Sequence, residues 1–284
     1  MYRLRRLKSQ LFTALSIAVA ILVFATIAHI LLSVAVNGVG VIASAGIDFF
    51  VKPPPPPGAG LEGGIGPALA GTIILVALSA VLGVPLAVLT AVFLAEFPHS
   101  RFSRLVKLFT NSLLEIPTVL VGMLVYVTLV TSTGSYSILA GAVALSIVLL
   151  PYTSTYVERA LEMVPATYKE AGYSIGLKKA QVVWYVTSRI ARRGIAAGIL
   201  IGLAKAAGET APLLFTLGGA LYSYPTSPAS LLEPGNAIPL LIFTLTLAPY
   251  ENWHSVAWGA ALILTLMVLG LIIAVRLVVR EVKV

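Results

Sequence analysis

The chain has no cysteine, only three histidines and very little charge: 11% of its 284 residues are Asp, Glu, Lys or Arg, against roughly a quarter in a soluble domain. The absence of cysteine excludes disulfides and thiol chemistry and leaves the redox compartment open. The histidines stand apart from acidic clusters, so neither a metal site nor a Ser-His-Asp arrangement is indicated. No G-x-x-x-x-G-K-[ST] phosphate loop occurs, so the chain is not expected to hydrolyse ATP or to carry a cofactor. Its net charge of +8 lacks the interleaved aromatics that single-stranded nucleic acid would need. Apolar residues replace the missing charge. They make up 58% of the sequence, the mean hydropathy is +0.99, and runs of about 20 residues recur from end to end. That pattern predicts an all-α integral membrane protein, not a barrel of short alternating strands.

The runs place six transmembrane helices at about 11–36, 67–95, 108–130, 137–156, 194–217 and 255–279. The first is too long for a signal-peptide core. Basic residues orient them. Four proposed inner regions hold 4, 3, 7 and 3 Lys or Arg, 17 of the 19, ending with Arg276, Arg280 and Lys283. Both termini are therefore expected in the cytoplasm. The outer loop 37–66 carries five consecutive prolines, Pro53 to Pro57, which predict a stiff polyproline spacer followed by flexible glycines. Residues 238–248 are apolar but too short to span, and are expected to be interfacial or re-entrant. The chain reads as one membrane domain: 1–66 is the first span with its outer loop, 67–280 is the core, and the large polar loop 158–193 lies inside it.

Two motifs stand out. In the polar loop, Pro165 and Gly176 bracket a short helix, with Tyr168, Ala171, Gly172 and Ile175 expected on one face. A second helix is expected from about Leu177. Further on, Lys205-Ala-Ala-Gly208-Glu209-Thr210-Ala211-Pro212-Leu213 puts a lysine and a glutamate at i and i+4 inside an apolar run. Ionisable groups at that depth are costly, and this spacing lets them pair. Gly208 permits close approach and Pro212 can break the helix beyond the pair.

Glu170-Ala171-Gly172, followed three residues later by Gly176, resembles the EAA loop of ABC importer permeases. Gly172 stands where alanine is usual. Val186, Thr187, Ser188 and Arg189 depart from the usual distal Ile-x-Leu-Pro. The GETAPL run resembles the PstA-type permeases of phosphate importers, where arginine is common at the place of Lys205. Ile116-Pro117-Thr118 with Gly122, Ile238-Pro239-Leu240 and Ala257-Trp258-Gly259-Ala260-Ala261 resemble the same family, and the likeness covers about 67–280.

The resemblance implies a type I ABC importer permease fold and transport of inorganic phosphate by alternating access. It also implies four kinds of companion: a second, PstC-like permease, a PstB-like ATPase dimer, a PstS-like outer binding protein and membrane lipid. Tyr168, Glu170, Ala171, Gly172 and Gly176 would then face the ATPase. Lys205, Gly208, Glu209, Thr210 and Pro212 would line the solute route. A permease for sulfate, molybdate or tungstate, or a secondary transporter without an ATPase, are the alternative expectations.

Overall fold

The computed structural model describes residues 2–60 and 63–280; Lys283 lies outside them. Among the described residues there is no strand, only one isolated bridge between Gly218 and Gly235. The helices are α1 (Tyr2–Ala45), the short α2 (Asp48–Val51), α3 (Gly66–Glu96), α4 (Arg101–Glu115) and α5 (Thr118–Val125). A π-turn (Tyr126–Val130) joins α5 to α6 (Thr131–Thr133). There follow α7 (Ile138–Glu162), α8 (Ala166–Ser174) and α9 (Lys179–Gln181), which a second π-segment links to α10 (Ser188–Ile190). The chain closes with α11 (Arg192–Ala207), α12 (Ala211–Thr216), α13 (Ile238–Leu247) and α14 (Glu251–Arg280).

Among the described residues four helices are individually long and apolar enough to cross a membrane, or five when a bent pair is counted as one span. The bend corrects the expected third span. Leu108 to Glu115 belong to α4, which meets the following helix at 103°. The cause is local. Pro117 has no N–H to donate and restricts the residue before it; Ile116 is extended (ψ 128). Pro85, by contrast, lies inside α3 without ending it. The first helix also outruns its expected end at Val36, continuing to Ala45.

The expected fifth span is broken as well. α11 stops at Ala207, and residues 208–210 separate it from α12. Pro212 has no N–H to donate to Gly208 four residues back, so a continuous helix through 208–212 is disfavoured. Pro212 itself sits in the first turn of α12, where the missing N–H costs nothing.

The core forms where α3, α7, α11 and α12 meet, around Leu75, Leu145, Leu149, Ala206, Leu213 and Leu217. A glycine stripe brings α11 onto α7. A Cβ at Gly194 would collide with Ala160, at Gly198 with Val157, and at Gly202 with the Thr153 hydroxyl. Small residues every four positions let helix backbones approach closely in lipid.

Nor is the proline segment a free spacer. Pro54 and Pro55 are buried. Prolines offer carbonyls without donors, and donors arrive from elsewhere: Trp253 Nε1 donates to Pro55 O at 2.8 Å, Asn252 Nδ2 to Pro56 O at 3.0 Å and Gly64 N to Pro53 O at 2.9 Å. α13 is the expected short apolar helix. Its buried residues include Ile238, Leu240, Leu241 and Leu245, and Ile238 N donates to Thr72 Oγ1 on α3 at 2.8 Å.

Candidate functional site

Lys205 lies in the last turn of α11, and Glu209 lies just past its end. Glu209 N donates to Ala206 O at 3.2 Å in a tightened final turn. The two side chains form an ion pair across the helix terminus. Their exposures differ: the Glu209 side chain is 7% exposed and that of Lys205 is 36%. A buried carboxylate thus holds a cation that still presents one side outward. A lysine near the carbonyl end of a helix also suits the helix dipole.

Tyr152 of α7 lies beside the pair, with Lys205 Nζ 5.6 Å from its ring centroid. Sequence reasoning missed Tyr152; the glycine stripe that brings α7 to α11 places it there. Gly208 is exposed and Thr210 partly buried in the break. Pro212 is buried and faces Gly122 of α5: a Cβ on Gly122 would lie 2.6 Å from Pro212 Cα. The Pro117–Gly122 segment and the GETAPL segment, about ninety positions apart, therefore meet backbone to backbone.

The polar loop forms a separate site. α8 begins after Pro165, and Gly176 takes φ +85 at the turn that follows. Such a backbone favours glycine. The expected common face divides. Gly172 is buried, and a Cβ there would press on Val182 at 3.0 Å. Tyr168, Glu170, Ala171 and Ile175 remain exposed. Met163 and Trp184, 81% and 71% exposed, join Ile175, 77% exposed, as large apolar side chains at the surface. The second helix runs as α9, the π-segment Val182–Thr187 and α10. Val186 to Arg189, the departure from the usual motif, fall within it.

Two ion pairs that sequence reasoning missed fasten this region to the bundle. Lys169 Nζ lies 2.6 Å from Glu96 Oε1, and Lys107 Nζ lies 2.8 Å from Glu158 Oε1. Their partners are 73 and 51 positions apart, so no local spacing announces them. Among the described residues no group of three or more His, Cys, Asp or Glu side chains could hold a metal ion.

A family described as "Binding-protein-dependent transport system inner membrane component" matches residues 83–284. A probable phosphate transport system permease protein PstA of Methanocaldococcus jannaschii is 42% identical over 278 residues, covering 98% of this chain and 96% of that protein. The phosphate transport system permease protein PstA of Pasteurella multocida is 31% identical, covering 97% and 96%. Among solved structures, a chain of the MetNI methionine ABC transporter in an inward-facing form aligns with a TM-score of 0.59 at 22% identity, covering 78% of this chain and 94% of that one. That likeness concerns the fold alone.

Proposed function

Because the chain belongs to the family of binding-protein-dependent transport system inner membrane components, we propose that it is the permease subunit of an ATP-driven ABC importer for inorganic phosphate, a multi-pass protein of the cell membrane. The observation that carries the solute is the 42% identity to a phosphate permease along nearly the whole of both chains. The fold of a type I importer permease and the Lys205–Glu209 pair support it.

In this reading the chain has six spans with both ends inside, the broken α11–α12 completing the five read from length and apolarity. It acts as one permease unit around the inner loop 158–193. A PstC-like permease, a PstB-like ATPase dimer and a PstS-like outer binding protein complete the machine. ATP binding closes the ATPase dimer against the loop, where Tyr168, Glu170 and Ala171 are exposed and Gly172 and Gly176 fix the shape. The spans respond by opening the solute route alternately to either side. Phosphate released by the binding protein crosses between the two permeases. The outward side of Lys205 attracts the anion, and Glu209 tempers that charge so the anion leaves again. Ionisable groups within the membrane are suited to that role. Gly208, Thr210 and Pro212 give the route its local shape.

Reconstitution in liposomes with the candidate partner subunits tests this. ATP-dependent phosphate uptake, preferred over sulfate, molybdate and tungstate, is the expected result. Preference for one of those oxyanions reassigns the solute. Uptake that persists without the ATPase overturns the importer reading.

A further inference from the structure

Glu96 ends α3, and two lysines from opposite arms of the inner loop hold it. Lys169, on α8, pairs with its carboxylate at 2.6 Å. Lys179, at the start of α9, donates to the Glu96 backbone carbonyl at 2.8 Å. Its ammonium also lies 3.7 Å over the Phe97 ring centroid, and Phe97 stacks on Phe93 of α3 at 5.5 Å. The Glu96 side chain is 7% exposed and that of Lys169 is 22%, so this is a desolvated contact. Lys179 also satisfies a carbonyl at the negative end of the α3 dipole. By chain connectivity the loop is continuous only with α7 and α11. Val164 and Ala191 of the loop also share an apolar cluster with Ala91 of α3; the lysines add a polar, charged tie to that helix, whose far part packs on the segment before α13: Thr72 accepts from Ile238 N, and a Cβ at Gly71 would collide with the Asn236 carbonyl.

We propose that Glu96 is the positioning residue that delivers movement of the inner loop to α3, so that α8 and the inner end of α3 travel as one body during transport. This deepens the reading of 158–193 as the ATPase-facing loop and rests on it. Without the clasp the loop still receives the ATPase, but its displacement reaches α3 only through apolar packing, by way of α7 and the cluster that Val164 and Ala191 share with Ala91. ATP is then hydrolysed with less solute moved.

The test uses the assembled importer in liposomes, with Glu96→Gln, Lys169→Met and the double variant. Each single variant is expected to keep its ATPase bound and to raise ATP hydrolysed per phosphate transported about threefold or more. Lys169→Arg keeps the wild-type ratio, because it retains the charge. The double variant is no worse than either single, since both break one contact. An unchanged ratio in the single variants, or effects that multiply in the double, overturns the proposal.

A second measurement does not depend on the solute. The chain has no native cysteine, so one label pair at His99→Cys and Ser174→Cys reports the distance between the two bodies. That distance is expected to be the same with and without ATP, and to vary only when Lys169→Met is added. A nucleotide-dependent distance in the otherwise unaltered chain overturns the proposal, even if Glu96→Gln fails to assemble. Absence of ATP-driven uptake by the wild-type complex would instead remove the importer reading itself.

Discussion

At Glu209 a carboxylate is buried beside a lysine that is only partly covered, and the difference sets the character of the site. A lone cation in an apolar bundle would hold an anion strongly; one already neutralised offers a weaker and reversible attraction. Glu209→Gln is expected to lower ATP-dependent uptake by about tenfold or more, because it leaves Lys205 without its counter-charge. The assembled complex should still purify. Normal uptake by that variant would remove Glu209 from the mechanism. The pair itself was legible, since i and i+4 residues share a helix face whatever surrounds them. The end of the helix between its members was not, because Gly208 is tolerated inside helices as readily as at their ends in lipid. Tyr152, Glu96 and Glu158 were invisible for another reason. Each acts on a residue brought close by packing of separate helices, and a single sequence carries no signal for such distances.

At the scale of elements, composition found the helices but misplaced their limits. Leu108, Phe109, Leu113 and Leu114 continue the apolar run that α5 begins, so hydropathy counting merges two helices that meet at 103°. The amphipathic pattern of α4, with Ser103 and Thr110 buried and Phe102, Leu105 and Phe109 exposed, is the signal that separates them. The proline segment failed differently. Its stiffness was readable, but two of the donors that bind its carbonyls, Asn252 and Trp253, come from α14. The glycine stripe on α11 has the firmest consequence here. Gly198→Val would drive a side chain into Val157, and overpacking of this kind costs about 1–3 kcal/mol. The thermal unfolding midpoint of the purified protein is expected to fall accordingly. An unaltered midpoint would mean that α7 and α11 yield without cost.

Across the whole molecule, segments between the long helices are tied by contacts distant in sequence. Tyr224 donates its hydroxyl to Val51 O, and desolvation raises that hydroxyl above its ordinary pKa of 10.0. The folded chain therefore holds the proton more tightly than the unfolded one. The tie is intact below pH 10.0 and is lost as pH rises through the higher folded value. With Trp184 and Trp258 replaced by Phe, emission from Trp253 is expected to be constant up to pH 10 and to shift above it. Tyr224→Phe should show the shifted emission at neutral pH.

The first helix gives the architecture its order in time. Forty-four residues make α1 about 66 Å long, yet its 18-residue apolar window has no buried residue. Its principal neighbour is α14, where Gly38 fits against Trp258 and Leu262. A ribosome produces α1 before any other described helix and α14 after all the rest. The first described helix therefore meets its principal neighbour only once the last described helix has been delivered. A chain stalled before residue 251 would lack the partner of its first helix and the α14 side of the cluster that holds Phe49, Ile238 and Leu241.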